Sequence, residues 1–299
     1  MRTLLNRRLA LAALTLVVLA PASNTSAQLL AAKDGPIVYG HHHLNVTSMD
    51  EHKRFWVDAL GGVPARVTNE ARALVGPTEI IMFPNVLLYI RAQKPSGGTK
   101  GSTLDHIAFS VKSLRQVVDR IKAGGFRMVT AAEAPPNITV RDDIGVVEGG
   151  PVSGIAYAMA PDEVKVELVE LKAQSAPIVS HHIHFFGAQK DMHAWYMKTF
   201  GATEVASANP AAFISASLPG LGMNFASSPA PTAGTRGRAL DHIGFEVKNL
   251  EAFTKKLESQ GIKLAMPYQQ VPALGVAFAF LTDPWGTYIE LTEGLDKVN

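Results

Sequence analysis

Two histidines and a carboxylate recur along the chain at corresponding places. His41, His106 and Glu167 lie in the first half, and His181, His242 and Glu290 in the second. Two neutral imidazoles and one carboxylate can grip one face of an octahedral divalent ion and leave three positions open. Open positions let an ion polarise a substrate oxygen, lower the pKa of a bound water or take dioxygen. Cysteine is absent. That excludes thiolate metal sites, cysteine nucleophiles, disulfide frameworks and a lipoprotein anchor.

Neighbours follow from the strand period, because side chains two apart share a face. Tyr288 should face the same way as Glu290, and Glu246 the same way as His242. These two are the candidate catalytic groups, placed to orient or deprotonate a substrate. In the first half His43 and Asn45 share a face with His41, and Lys165 shares one with Glu167. A cation beside a ligand carboxylate competes with a metal, so the second half is the better candidate for a working site. Strict alternation turns His42, His182 and His184 away. The run His41–His43 leaves a one-residue ambiguity of register, settled here only by the repeat. Phe55, Trp56, Trp195 and Tyr196 lie at helical spacing and read as core.

The elements that must position these residues are themselves repeated. His41–Val46 and the helical pattern behind it, ending at Gly61, return 140 residues later as His181–Phe186 and a helix ending at Gly201. Leu104–Lys112 returns 136 residues later as Leu240–Lys248, with Asp-His-Ile in both copies. Each copy opens with a strand, passes into a helix and continues in two or three short β-rich runs. Ser48 with Glu51 reads as a capping box, Ser113 and Asn249 as N-caps, and Gly125 and Gly261 as C-terminal stops. The reading is α+β, with four βαβββ units. They group into a first domain over 37–173 and a second over 174–299. His106 and Glu167 are 61 residues apart, but His242 and Glu290 only 48. The surplus falls around Pro135–Gly154 and reads as a longer hairpin or a lid.

The first 27 residues read differently. Arg2, Arg7 and Arg8 precede the uncharged apolar run Leu9–Ala20, and a small, polar stretch ends at Ala27. This is the pattern of a secretory signal peptide, with 28–36 as a linker and export to the periplasm or beyond as the expectation. Twelve apolar residues rise about 18 Å as a helix, short of a bilayer core of roughly 30 Å, so no stable membrane anchor is expected after cleavage. The whole chain has 28 basic and 26 acidic residues. Losing three arginines leaves it near neutral. It carries no long basic stripe, so nucleic acid is not an expected partner. A small-molecule substrate is, with a monomer or homodimer as the assembly.

Four βαβββ units, with histidine on the opening strands and glutamate on a final strand, resemble the vicinal oxygen chelate superfamily of glyoxalases, extradiol dioxygenases and bleomycin-resistance proteins. The most specific pieces are Asp105-His106-Ile107-Ala108-Phe109, Asp241-His242-Ile243-Gly244-Phe245 and Asp283-Pro284-Trp285-Gly286 leading to Glu290. The resemblance implies two domains, each a curled mixed sheet around a metal-holding cavity. It implies His181, His242 and Glu290 as ligands, with His41, His106 and Glu167 as a second set. The implied cofactor is a divalent ion, iron or manganese ahead of zinc or nickel. Glyoxalase-type members use a fourth, carboxylate ligand that also moves protons. That position falls on Asn224 in the second half, a weak amide-oxygen candidate, and on Tyr89 in the first. Extradiol dioxygenases carry a tyrosine three residues before the Asp of the Asp-Pro turn, where Phe280 stands. The leading expectation is an exported metal-dependent enzyme, dioxygenase-like. A glyoxalase-type lyase or isomerase, and a metal-free ligand-binding protein like the bleomycin-resistance members, are the alternatives.

Overall fold

The computed structural model describes residues 37–65 and 78–295. The candidate signal segment 1–27 and the linker 28–36 lie outside the described residues. Four units follow one another. Their opening strands are Ile37–Val46, Leu104–Val111, Ile178–Gly187 and Leu240–Val247, and their last strands are Val86–Ala92, Val164–Glu170, Leu221–Ser227 and Tyr288–Glu293. Within each unit the opening strand runs parallel to the last one, with the helix crossing between them. The caps sit where the sequence puts them. Ser48, Ser113 and Asn249 accept hydrogen bonds from the backbone N–H of Glu51, Gln116 and Ala252.

The units do not pair within the two halves. Units one and four form one eight-stranded sheet, in which Ile37–Val46 runs antiparallel to Leu240–Val247. Units two and three form a ten-stranded sheet, in which Leu104–Val111 runs antiparallel to Ile178–Gly187. The connectors explain this. Only Leu171–Pro177 separates units two and three, and a short connection keeps its elements adjacent. The longer linkers around 93–103 and 228–239 carry the chain from one sheet to the other.

One continuous core lies between the sheets. The helix Leu114–Ala123 buries Leu114, Val117, Val118 and Ile121 in it, the spacing of a single helical stripe. Phe55, Trp56, Phe109, Phe185, Tyr196, Phe200 and Phe245 fill the middle. Carboxylates stitch the sheets together. Asp162 of unit two accepts from the Thr47 amide at 2.7 Å and lies 3.1 Å from His52 Nε2 of unit one. Asp283 of unit four accepts from the Tyr196 hydroxyl of unit three at 3.0 Å. Each sheet therefore turns one face to this core and leaves the other for chemistry.

Candidate metal centres

The register of the opening strands decides which histidines face away from the core. In Ile37–Val46 the side chains of Ile37, Tyr39, Leu44 and Val46 enter the core. A register shift falls between Tyr39 and His41, and one in the same place between Ser180 and His182. Such a bulge inserts one residue and re-aims those that follow. His41 lies opposite Gly244 and His43 opposite His242. In the other sheet His182 lies opposite Ala108 and His184 opposite His106. The structural offset between units one and three is therefore 141, since Ile37 and Ile178 pair with Val247 and Val111 at equivalent places. An offset of 140 picks the wrong face, because a one-residue slip inverts a strand. His182 and His184 point into the site and His181 sits at the bulge, with its Nδ1 2.7 Å from Nδ1 of His182. His42 turns to the core side as expected, where it meets the Tyr39 hydroxyl.

Two groups of metal-type ligands result, and neither lies within one half. His41, His242 and Glu290 form the first and His106, Glu167, His182 and His184 the second. In each group the donor atoms lie within 4.8 Å of one another, and all seven residues are buried. In the first, Nε2 of His41 and of His242 approach Glu290 Oε2 at 2.9 and 3.1 Å. In the second, Nε2 of His106 and of His182 stand 3.0 and 3.1 Å from Glu167 Oε2. Nε2 of His184 lacks a hydrogen-bond partner, as do Nδ1 of His41 and both nitrogens of His43. Buried polar atoms are rarely left unpaired. Converging imidazole nitrogens around one carboxylate are what a divalent ion of the iron-to-zinc series would satisfy.

Electrostatics favours positive charge in both groups. Asp105 Oδ1 accepts from His106 Nδ1–H at 2.8 Å, and Asp241 Oδ1 from His242 Nδ1–H at 2.6 Å. Each bond fixes the tautomer and presents Nε2 to the site. Burial would lower the His242 pKa, but the bonds to Asp241 and Glu290 raise it to about 9. His106 is raised by the same balance with Asp105 and Glu167. Burial would raise Glu167 and Glu290, yet the facing imidazoles hold both below the usual carboxylate range. Both carboxylates are therefore ionised.

Only the second group is reached by the large cavity described here, of about 1330 Å³. Glu167, His182 and His184 line it, with His181, Tyr157 and Asn224. The surplus segment of unit two builds one wall. After the helix Thr130–Glu133 comes the hairpin Val140–Arg141 with Ile144–Val146, and Ile138, Val146 and Val152 face the space. Unit three supplies the opposite wall with Phe213.

The sequence model of the Glyoxalase/Bleomycin resistance protein/Dioxygenase superfamily matches residues 38–140 and 181–291. The chain belongs to that superfamily. Solved structures agree at the level of fold. Glyoxalase I from Zea mays superposes with a TM-score of 0.64 at 16% identity, covering 88% of this chain and 94% of that one. A Bacillus subtilis protein named "putative dioxygenase" gives 0.62 at 12% identity, covering 86% of this chain and 84% of that one. At such identities the likeness shows the fold alone. No curated protein matched the chain in a sequence search.

Within this superfamily fold the remaining candidates find their places. Tyr288 stacks on Phe280 and meets the His242 ring edge-on at 5.7 Å, with the Arg236 guanidinium over its ring at 4.8 Å. Glu246 is committed elsewhere. It accepts from the Thr292 hydroxyl at 2.7 Å and from the Gly294 and Leu295 amides at 2.6 and 3.0 Å. Both its oxygens are thus taken up by donors of the chain itself. Asn224 Oδ1 accepts from Ser215 Oγ at 2.8 Å at the cavity wall. Lys165 does not enter the ligand group, because its Nζ pairs with Asp105 and with Glu133. Tyr157 was missed by the sequence reading. It lies across the strand pair from Glu167, as Phe280 lies across from Glu290. Both aromatic residues stand ten places before their glutamate, and that spacing was the available signal.

Proposed function

We propose that this superfamily member is an exported, metal-dependent enzyme that chelates vicinal oxygens of a small, largely apolar substrate. Its working site is His106, Glu167, His182 and His184, and its chemistry is dioxygenase-like. The observation that carries this reading is the cavity opening onto Glu167, onto His182 beside it and onto the unpartnered Nε2 of His184. An iron or manganese ion held there would supply Lewis-acid polarisation of the substrate oxygens and a binding position for dioxygen. Zinc or nickel would supply the first of these alone.

The chain's own residues supply the rest. Asp105 orients His106. Tyr157 has its hydroxyl beside Glu167, and burial with that carboxylate raises its pKa, so it stays a proton donor toward a substrate oxygen. Ile138, Val146, Ile155, Val169 and Phe213 keep water from an apolar ring.

Two features weigh against the glyoxalase-type alternative at this site. A glutathione adduct carries two carboxylates and an ammonium, yet Arg141 is the one arginine or lysine among the lining residues. The place of a proton-moving carboxylate is taken by Asn224. Export also separates the protein from cytosolic thiols.

The test is oxygen uptake by the chain loaded with Fe(II) or Mn(II) on a panel of catechols and hydroquinones. Uptake should occur, and should fall at least a hundredfold in His184→Ala and Glu167→Gln. Uptake surviving both changes would contradict the assignment. Turnover of a methylglyoxal–thiol adduct without oxygen uptake would favour the glyoxalase alternative. Export is tested by fractionating cells that express the full chain.

A further inference from the structure

The two ligand groups differ in what stands behind their Asp–His pairs. Asp241 is held by neutral donors. Its Oδ2 accepts from Asn45 Nδ2 at 3.0 Å and from the Gly237 amide at 2.6 Å. Asp105 is faced by a buried cation instead. Lys165, 4% exposed, pairs through Nζ with Asp105 Oδ1, the oxygen that also takes the His106 Nδ1–H. The same Nζ donates to Glu133 Oε2 at 2.8 Å, and Glu133 Oε1 accepts from the exposed Lys100 Nζ at 2.8 Å. A line of alternating charge thus runs from the surface through Lys100, Glu133, Lys165 and Asp105 to His106.

A carboxylate behind a ligand imidazole makes that imidazole a stronger donor. A cation on the same carboxylate oxygen draws that electron density back. It also repels a nearby metal ion through a low-dielectric interior. We propose that Lys165 is a positioning residue of the cavity-facing site. It fixes Asp105 and, through it, His106, and it loosens and electron-depletes any ion bound there relative to the His41–His242–Glu290 group. This rests on the reading that the site holds a metal. Glu133 opposes Lys165 from the other side and so sets how much of its charge is felt. Glu133 also belongs to the short helix Thr130–Glu133, from which the cavity wall departs. The substrate wall and the metal ligand therefore meet at one half-buried ion pair, Lys165 with Glu133.

The sign of the effect separates this role from a merely structural one. Losing Lys165 leaves Asp105 buried without its cation and Glu133 with Lys100 alone, so the fold should weaken. An ion nearby should nevertheless bind more tightly, because a like charge has gone. A structural lysine would lower stability and affinity together.

The experiment uses the full chain, freed of metal by chelator and titrated with Co(II). Affinity is read by competition with a chromogenic chelator, ligand field by the visible cobalt spectrum, and stability by urea unfolding. The binding step that disappears in His182→Ala marks the cavity-facing site. In Lys165→Met that step should tighten about tenfold and its cobalt bands should shift, while stability falls. Lys165→Arg should keep the wild-type affinity, and Glu133→Gln should weaken it about tenfold. A Lys165→Met protein that folds and binds cobalt as wild type does, or more weakly, would overturn the inference. If Lys165→Met does not fold, Glu133→Gln decides, and unchanged affinity there overturns it. If no binding step is lost in His182→Ala, the metal reading itself falls and this inference goes with it.

Discussion

His184 keeps an unpartnered Nε2 inside the protein. Each such group costs about 1–3 kcal/mol when left unsatisfied, and a bound ion would remove that cost. A divalent ion at a hundred times its Kd should therefore raise the unfolding free energy by about 2.7 kcal/mol, and chelator should abolish the gain. Urea unfolding with and without Mn(II) measures it, and no gain would argue against a native metal site. His42 makes a different prediction. It is buried against Tyr39, and burial with the neighbouring His41 holds its pKa down at about 3. The unfolded chain, with an ordinary value near 6.5, binds the proton more readily, so His42 contributes stability above about pH 6.5 that drains away as pH falls toward 3. In the presence of chelator, His42→Gln should lose less stability than wild type between pH 7 and 5. An equal loss in urea titrations at both pH values would refute this. At this scale the sequence was only partly legible. The ligand types and the Asp-His pairs were visible, but anchoring the repeat on neighbouring histidines chose His181 over His182. Pro36-Ile37-Val38 and Pro177-Ile178-Val179, 141 apart, carried the correct register.

The two opening-strand pairs look interchangeable but are built to different tolerances. Gly244 lies opposite His41, and a methyl group there would stand 2.0 Å from His41 Cε1. Its counterpart in the other sheet, opposite His182, is Ala108, which already carries that methyl. Gly244→Ala should push His41 away from Glu290 and weaken the first ligand group at least tenfold for Co(II). The His182–His184 group should be untouched. Loss at both groups, or at neither, in a two-step cobalt titration would contradict the packing described. Elements of this kind were the most legible part of the chain, because caps, helical stripes and strand runs depend on near neighbours. The bulge was not legible. Gly40 and His181 occupy the same place, and only strand pairing shows that each is the extra residue.

Across the whole molecule the sites depend on a crossed pairing of units. His106 and Glu167 come from unit two and His182 and His184 from unit three, while the first strand described and the last close the other group. The repeat revealed four units but not their partners, since near-identical opening strands satisfy the same ladder either way. The short Leu171–Pro177 connector was the physical cue. Cut between 173 and 174, neither half holds a complete ligand group. Separately purified halves should bind no Mn(II) tightly, and mixing them should restore binding. Tight binding by one half alone would show pairing within halves after all. The central claim is narrower, that the cavity-facing ligands are His182 and His184 rather than His181. It is tested most directly by elemental analysis of the untagged chain, residues 28–299, as wild type, His181→Ala and His182→Ala. The account predicts that His182→Ala carries one ion fewer per chain while His181→Ala keeps the wild-type content. Loss in His181→Ala with retention in His182→Ala would contradict it.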